Sequence, residues 1–272
     1  MIISATFTPK PSLFGPILFT GDIAESLKQI AHIGYSGAEL HIADPHRIDT
    51  EQLAYLLSKH NLQLTSIGTG LSAVDDKLSF ASDDESVRTA AIQRIKDVID
   101  AFSDIKPGII IGTIKGRLAA ASDEAEARSR IHTALKECAS YAENYGVQLV
   151  LEAINRYEQD YLNTLQDAAR LIDAIGAPNI KVHADVFHMN IEEPSITDSL
   201  YRYRDYLGHL HFADNNRMYP GGGGIDFKAI FRTLRSIDYR GAVSIECMPK
   251  PDGKTAAIRA YQYLSTVLAQ VE

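Results

Sequence analysis

V-Q-L-V-L-E-A-I-N-R, residues 147–156, is an apolar run of high strand propensity that ends on a carboxylate, Glu152, and opens into a polar loop. Apolar residues without alternation mark a strand buried on both faces, as in a parallel sheet covered by helices. A carboxylate at the point where such a strand emerges is costly unless a cation or a reacting proton meets it. The same strand-then-helix unit recurs in both directions from this stretch. Upstream, strands are expected at 2–5, 37–41, 62–67 and 108–111, with a Pro- and Phe-containing loop after the first. The helices between them run from caps at Asp22, Asp49, Asp84 and Ser122 to about 33, 59, 102 and 146. Downstream, strands at 180–184, 208–212 and 242–245 alternate with helices at 164–176, 195–204, from 226 onward and 255–268. Eight such units with no change of composition that would mark a linker predict one domain over 1–272, a single closed (β/α)8 TIM barrel. A doubly wound open sheet fits less well, because no G-x-G-x-x-G follows the first strand. The run from Gly221 to Gly224 reads as a loop over the barrel mouth rather than a phosphate cradle.

Bulk composition narrows the chemistry. With 45% hydrophobic residues among 272 the chain can build a sizeable core, and a net charge of -8 with no basic cluster argues against nucleic-acid and polybasic membrane partners. A small-molecule partner is expected. The opening M-I-I-S-A-T-F-T-P-K lacks the basic region and length of a signal core, and no apolar run reaches spanning length, so a cytoplasmic protein is expected. Cys138 and Cys247 lie far apart and read as packing residues.

In a barrel the active site is built at the C-terminal ends of the strands. Glu152 ends strand five, Asp185 ends strand six in K-V-H-A-D, His211 lies in strand seven in G-H-L-H-F, and Glu246 ends strand eight in V-S-I-E. Four consecutive strands place these groups on one arc of the mouth. Three carboxylates crowded at low dielectric repel unless a divalent cation sits among them. Two Glu, one Asp and one His form a mostly oxygen set, suited to Mn2+, Mg2+ or Co2+ rather than to structural Zn2+. His183 and His209 share the inward face and read as barrel filling or as support for the ligands. The loops after these strands add Asn155, Arg156, Glu158, His188, Asp214, Asn216 and Arg217, of which His188 and Arg217 are donors fit to stabilise a developing oxyanion.

The segments L-E-A-I-N-R-Y-E (151–158), D-V-F-H-M-N-I-E-E (185–193), H-L-H-F-A-D-N-N-R-M-Y-P-G (209–221) and V-S-I-E-C-M-P (243–249) resemble the ketose 3-epimerase branch of the xylose-isomerase-like barrels. The resemblance is densest in the C-terminal half. It implies an isomerase with one divalent ion, Mn2+ first among the candidates, on Glu152, Asp185, His211 and Glu246, and substrate contacts at Glu158, His188 and Arg217. It further implies that Glu152 and Glu246 form an acid and base pair that inverts C3 of a ketose or keto-sugar acid through a cis-enediolate. A homodimer or tetramer is the family's habit. Where neutral-sugar epimerases show G-E-S-N-R and an aromatic-rich first strand, this chain has A-D-N-N-R and T-F-T-P-K. The loop G-T-I-K-G-R (112–117), the I-G-T-G after strand three and the helix at 226–234 resemble instead the keto-acid epimerases that interconvert 5-keto-L-gluconate and D-tagaturonate. Lys115 and Arg117 in that loop suit a substrate carboxylate or phosphate. A neutral ketose 3-epimerase of the tagatose or psicose type and a hydroxypyruvate-type isomerase are the alternatives. A metal-dependent abasic-site endonuclease fits less well, because it needs several metals and a basic groove.

Overall fold

In the computed structural model, which describes residues 1–10 and 15–271, eight parallel strands close on themselves. They are β1 (Ile2–Thr8), β2 (Gly37–His41), β3 (Gln63–Gly68), β4 (Gly108–Ile111), β5 (Leu149–Glu152), β6 (Ile180–Asp185), β7 (Leu207–Phe212) and β8 (Ala242–Ile245). Each pairs with the next, and β1 pairs with β8 from Ile2↔Ala242 to Ala5↔Ile245, which closes the (β/α)8 TIM barrel. A two-residue strand, Phe19–Thr20, pairs alongside the end of β1. Part of the loop expected after β1, residues 11–14, lies outside the described residues.

Eight helices cover the barrel: α1 (Ile23–Ile33), α2 (Thr50–Lys59), α3 (Glu85–Ala101), α4 (Glu124–Glu143), α5 (Leu165–Ile175), α6 (Ile196–Arg202), α7 (Phe227–Ser236) and α8 (Gly253–Ala269). Their starts follow capping chemistry: the side chains of Asp22, Asp49, Asp84, Thr164, Ser195 and Asp226 each accept from a first-turn amide left without an intrahelical partner. Gly34 and Gly176 end α1 and α5 in the left-handed region. Two helix starts differ from expectation. Asp123 rather than Ser122 caps α4, accepting from the amides of Ala125 and Glu126, while the Ser122 amide is drawn off to Asp83 Oδ2 at 2.7 Å. At α8 the cap is Asp252, three residues ahead of the expected Thr255, whose amide donates to it.

Two stretches expected as loop are short helices, Gly70–Asp75 after β3 and a second after β6. Val186–Glu192 follows β6 directly, with Asp185 as its cap and Val186, His188 and Met189 buried. Val186 and Met189 stand three residues apart, so a single turn buries both.

The interior of the barrel is polar over much of its length. Glu39 on β2 reaches His209 and His211 on β7, and Ser66 on β3 reaches His209, so these side chains point inward across the lumen. The apolar core lies between barrel and helices, where Ile109, Ile111, Leu149, Leu151 and Ile245 meet Ile95, Leu135 and Leu264. Cys138 and Cys247 are both free and buried in that layer. Among the described residues no helix is long and apolar enough to cross a membrane.

Candidate active site

The strand ends set the site. Glu152 stands opposite His183 in the β5–β6 pairing, and Asp185 stands opposite His211 in the β6–β7 pairing, which steps the inward side chains around the mouth. Glu152, Asp185 and His211 bring one ligand atom each to within 4.8 Å of one another, and all three are buried. Glu246 adjoins them, with Oε2 at 3.6 Å from His211 Nδ1 and 3.5 Å from Arg217 Nη2. The backbone makes room. A Cβ at Gly112, just past β4, would overlap Glu152 Oε2, so a larger residue there would have to displace that carboxylate.

The donor set fits a divalent cation. Asp185 Oδ1 is used as the helix cap, accepting from the Phe187 amide at 2.8 Å, while Oδ2 is buried with no hydrogen-bond partner among the described residues. His211 Nδ1 is likewise buried and unbonded. Buried polar atoms left unpaired in this way are costly unless a ligand satisfies them.

Electrostatics separates the carboxylates. Burial pushes Glu152 up to about 8, with the charges of Glu246 and Asp185 adding to it and those of His211 and Lys115 opposing. Burial likewise lifts Asp185 to about 7, aided by Glu246 and opposed by His211 and Arg217. Burial acts on Glu246 in the same sense, but His211, Arg217 and His41 outweigh it and hold the carboxyl at about 2. His211 is held well above the usual imidazole range, since Glu39 and Glu246 overcome the effect of burial. In the protein alone, one glutamate is thus ready to give a proton at neutral pH and the other to take one.

Around this group the loops are locked. Asn155 Oδ1 accepts from the Tyr157 amide at 3.0 Å, and Nδ2 lies 3.0 Å from Glu158 Oε1 and 2.6 Å from His188 Nδ1. The amide therefore donates to His188 Nδ1 and turns Nε2 toward Glu152 Oε1 and Asp185 Oδ2, each at 3.7 Å. Burial, then the charge of Arg217, keeps His188 well below the usual imidazole range. Arg217 adopts φ 59, a left-handed value unusual for a branched chain of this size. In that pose Nη1 donates to Glu158 Oε1 at 2.8 Å and the guanidinium lies 4.7 Å from the Phe187 ring centre. Asp214, fully buried, anchors the loop by accepting from the amides of Asn215, Gly221 and Ile225, and Asn216 donates to the Gly222 carbonyl. Since the Gly221 and Gly224 amides are bound to Asp214 and Asn215, the glycine run is a structural turn.

Lys115 and Arg117 part company. Lys115 is fully buried, its Nζ donating to the carbonyl oxygens of Gly112 and Glu152, and burial brings its ammonium down to about 8 against the pull of Glu152 and Asp160. Arg117 is exposed, with Nε 3.8 Å from Asp160.

Sequence reading passed over Glu39. Its carboxylate lies beneath the site and gathers four donors: Oε1 accepts from His41 Nε2 at 2.8 Å and His211 Nε2 at 2.7 Å, Oε2 from His209 Nε2 at 2.7 Å and Ser66 Oγ at 2.5 Å. Burial would raise it, yet the charge of His211 and the imidazole hydrogen bonds hold it well below the carboxylate range. The available signal was G-A-E-L-H itself, where Glu39 and His41 alternate on one face of an otherwise apolar strand.

Residues 27–266 match the family described as Xylose isomerase-like TIM barrel. The chain belongs to that family. It is 31% identical over 218 residues to L-ribulose 3-epimerase of Methylomonas sp. (strain DH-1), covering 79% of this chain and 75% of that protein. It is 28% identical over 252 residues to 3-dehydro-D-guloside 4-epimerase of Escherichia coli K12, covering 89% and 93%. The solved D-psicose 3-epimerase of Clostridium cellulolyticum H10, studied with D-tagatose, superposes with a TM-score of 0.84 at 24% identity over 98% of this chain and 99% of that one, a likeness of fold.

Proposed function

We propose that this protein is a divalent-metal-dependent sugar epimerase that inverts the carbon beside a ketone in a ketose or keto-sugar acid. The chain is an isomerase acting on sugars; its epimerase relatives support that much. The observation that carries the finer reading is the convergence of Glu152, Asp185 and His211 with Glu246 alongside, the two glutamates driven to opposite protonation states.

A divalent cation on these four residues, Mn2+, Mg2+ or Co2+ by the donor chemistry with Mn2+ first among them, would polarise the substrate carbonyl and stabilise the charge of a planar enediolate. The protein's own residues do the rest. Glu246, kept ionised beside His211 and Arg217, takes the proton from the carbon beside the carbonyl, and Glu152, the more basic of the two, returns a proton taken up from solvent. In the reverse direction the roles exchange. Arg217 and the Nε2 edge of His188 supply hydrogen bonds to substrate oxygens, and Glu158 fixes the Arg217 guanidinium. The two relatives act at different carbon numbers, C3 of a 2-ketose and C4 of a 3-dehydro sugar, yet in both names the centre adjoins the ketone. One pair of glutamates serves either substrate. Within the proposal the narrower substrate class is a keto-sugar acid of the 5-keto-L-gluconate type, with Arg117 on the 112–117 loop available to its carboxylate.

The test is a substrate screen in D2O. Ketopentoses, ketohexoses, keto-uronic acids and 3-keto-glycosides are incubated with the Mn2+-loaded protein, the ion is removed by chelator and the products are read by NMR. The expected result is an epimer carrying deuterium only at the inverted carbon; an aldose product, or turnover unaffected by chelation, would overturn the reading.

A further inference from the structure

We propose that Glu39, a residue remote from the substrate, fixes the ring protonation of His211 and thereby makes Nδ1 a cation ligand. The proposal rests on the metal site put forward above, and the argument is geometric. A carboxylate can only accept, so each imidazole nitrogen within hydrogen-bond distance of Glu39 must carry a proton. His211 Nε2 lies 2.7 Å from Glu39 Oε1 and therefore holds its hydrogen there. The lone pair available for coordination is then on Nδ1, the buried atom that has no hydrogen-bond partner among the described residues and faces Glu246 Oε2 at 3.6 Å. An imidazole free to choose would place its proton on either nitrogen, and half of those choices present an N–H to the cation. A carboxylate behind the ring removes that freedom and adds basicity to the coordinating nitrogen.

The arrangement has a second consequence. Oε1 of Glu39 also accepts from His41 Nε2, and His41 Nε2 lies 4.0 Å from Glu246 Oε1. One oxygen thus bridges the two rings that flank Glu246, so the carboxylate braces His211 and His41 together against it. Oε2 is held by His209 and Ser66, which stops Glu39 from turning toward either ring alone. His41, His209 and His211 are thereby claimed by one carboxylate, which accounts for the closeness of His209 and His211 without a second ion.

The experiment has three parts, all on the full chain. Titration calorimetry with Mn2+ compares wild type, Glu39→Gln and Ser66→Ala. Glu39→Gln should bind Mn2+ about 10- to 100-fold more weakly, because the amide offers a donor where the rings need an acceptor. Ser66→Ala removes a hydroxyl from the same carboxylate without touching His211 and should keep affinity within about 3-fold. In parallel, 15N spectra of histidine-labelled wild type loaded with Mg2+, with His211 assigned through His211→Asn, should show the protonated nitrogen of His211 to be Nε2. Wild type that binds no Mn2+ overturns the metal site and this proposal with it. Wild-type binding with an unchanged Glu39→Gln variant, equal losses in both variants, or a proton on Nδ1 in the Mg2+-loaded protein overturns the role of Glu39 alone. The wild-type spectrum decides the matter even where Glu39→Gln does not fold.

Discussion

The two arcs of the barrel mouth use carboxylates in opposite ways. On the arc from β5 to β8, Glu152 and Asp185 have one another and Glu246 as neighbours, and burial lifts both toward neutral pH. On the arc from β1 to β3, Glu39 is at least as deeply buried, yet four donors keep it ionised. The difference teaches that donor count rather than depth decides what a buried carboxylate does. A carboxylate with its lone pairs filled holds its neighbours in place; one with open oxygens is free to take a cation or a proton. Glu246 stands between these cases, ionised by His211 and Arg217 but offering oxygens to the site.

The most severe way to break this comparison is to remove an open carboxylate. Glu152→Gln and Glu246→Gln should each slow epimerisation by about 10³-fold or more, since each abolishes one proton transfer. The two variants should differ in what survives. With one carboxylate left, a single epimer still loses its proton to it and regains deuterium on the same face, so exchange without inversion should appear from one epimer in Glu152→Gln and from the other in Glu246→Gln. Exchange from the same epimer in both variants would show that the two glutamates do not work from separate sides.

A gentler probe is pH. In the protein without a cation, Asp185 and Glu152 hold protons up to about 7 and 8, whereas Glu246, at about 2, holds none near neutrality. Binding a cation must then expel protons from the first two and from His211, whose ring is held well above the usual imidazole range, so affinity rises as pH rises from 6 toward 8, by up to about tenfold per pH unit for each proton displaced. Calorimetry at pH 7 in two buffers of different ionisation enthalpy should report about two to three protons released per Mn2+. A pH-independent affinity would mean that these two carboxyls are already ionised and that the contrast between the arcs is false.

Much of this was legible in the chain, for reasons that can be named. The strands of the barrel are apolar on the face turned to the helices and bounded by Asp caps and glycines, so β2, β4 and β8 fall where the sequence pattern puts them. Glu152, Asp185 and Glu246 stood out because a charge at the end of an apolar run needs an explanation. Glu39 did not, because it lies in mid-strand and two of its four partners stand on β7, 170 residues away or more. The helix at Val186–Glu192 was missed because Asp185 has two tasks, capping with one oxygen and facing the site with the other, and a strand-end carboxylate shows only the second. The burial of Lys115 was hidden for a similar reason: a lysine in a glycine-flanked loop looks solvated until β5 supplies its carbonyl.

The finest test separates Lys115 from Arg117. Lys115 is bound to the Gly112 and Glu152 carbonyls directly behind a reacting carboxylate, so Lys115→Met should lower kcat for a keto-sugar acid and a neutral ketose alike, by about tenfold. Arg117 is half exposed and only loosely paired with Asp160, so any hold on a substrate carboxylate is worth at most about 1 kcal/mol. Arg117→Ala should therefore raise KM for the keto acid by up to about fivefold, leaving kcat and the KM of the neutral ketose unchanged. Equal shifts for both substrates would remove Arg117 from recognition of the acid. Arg217 would then have to meet the substrate carboxylate while still bound to Glu158 and Glu246, and a neutral ketose would become the better substrate.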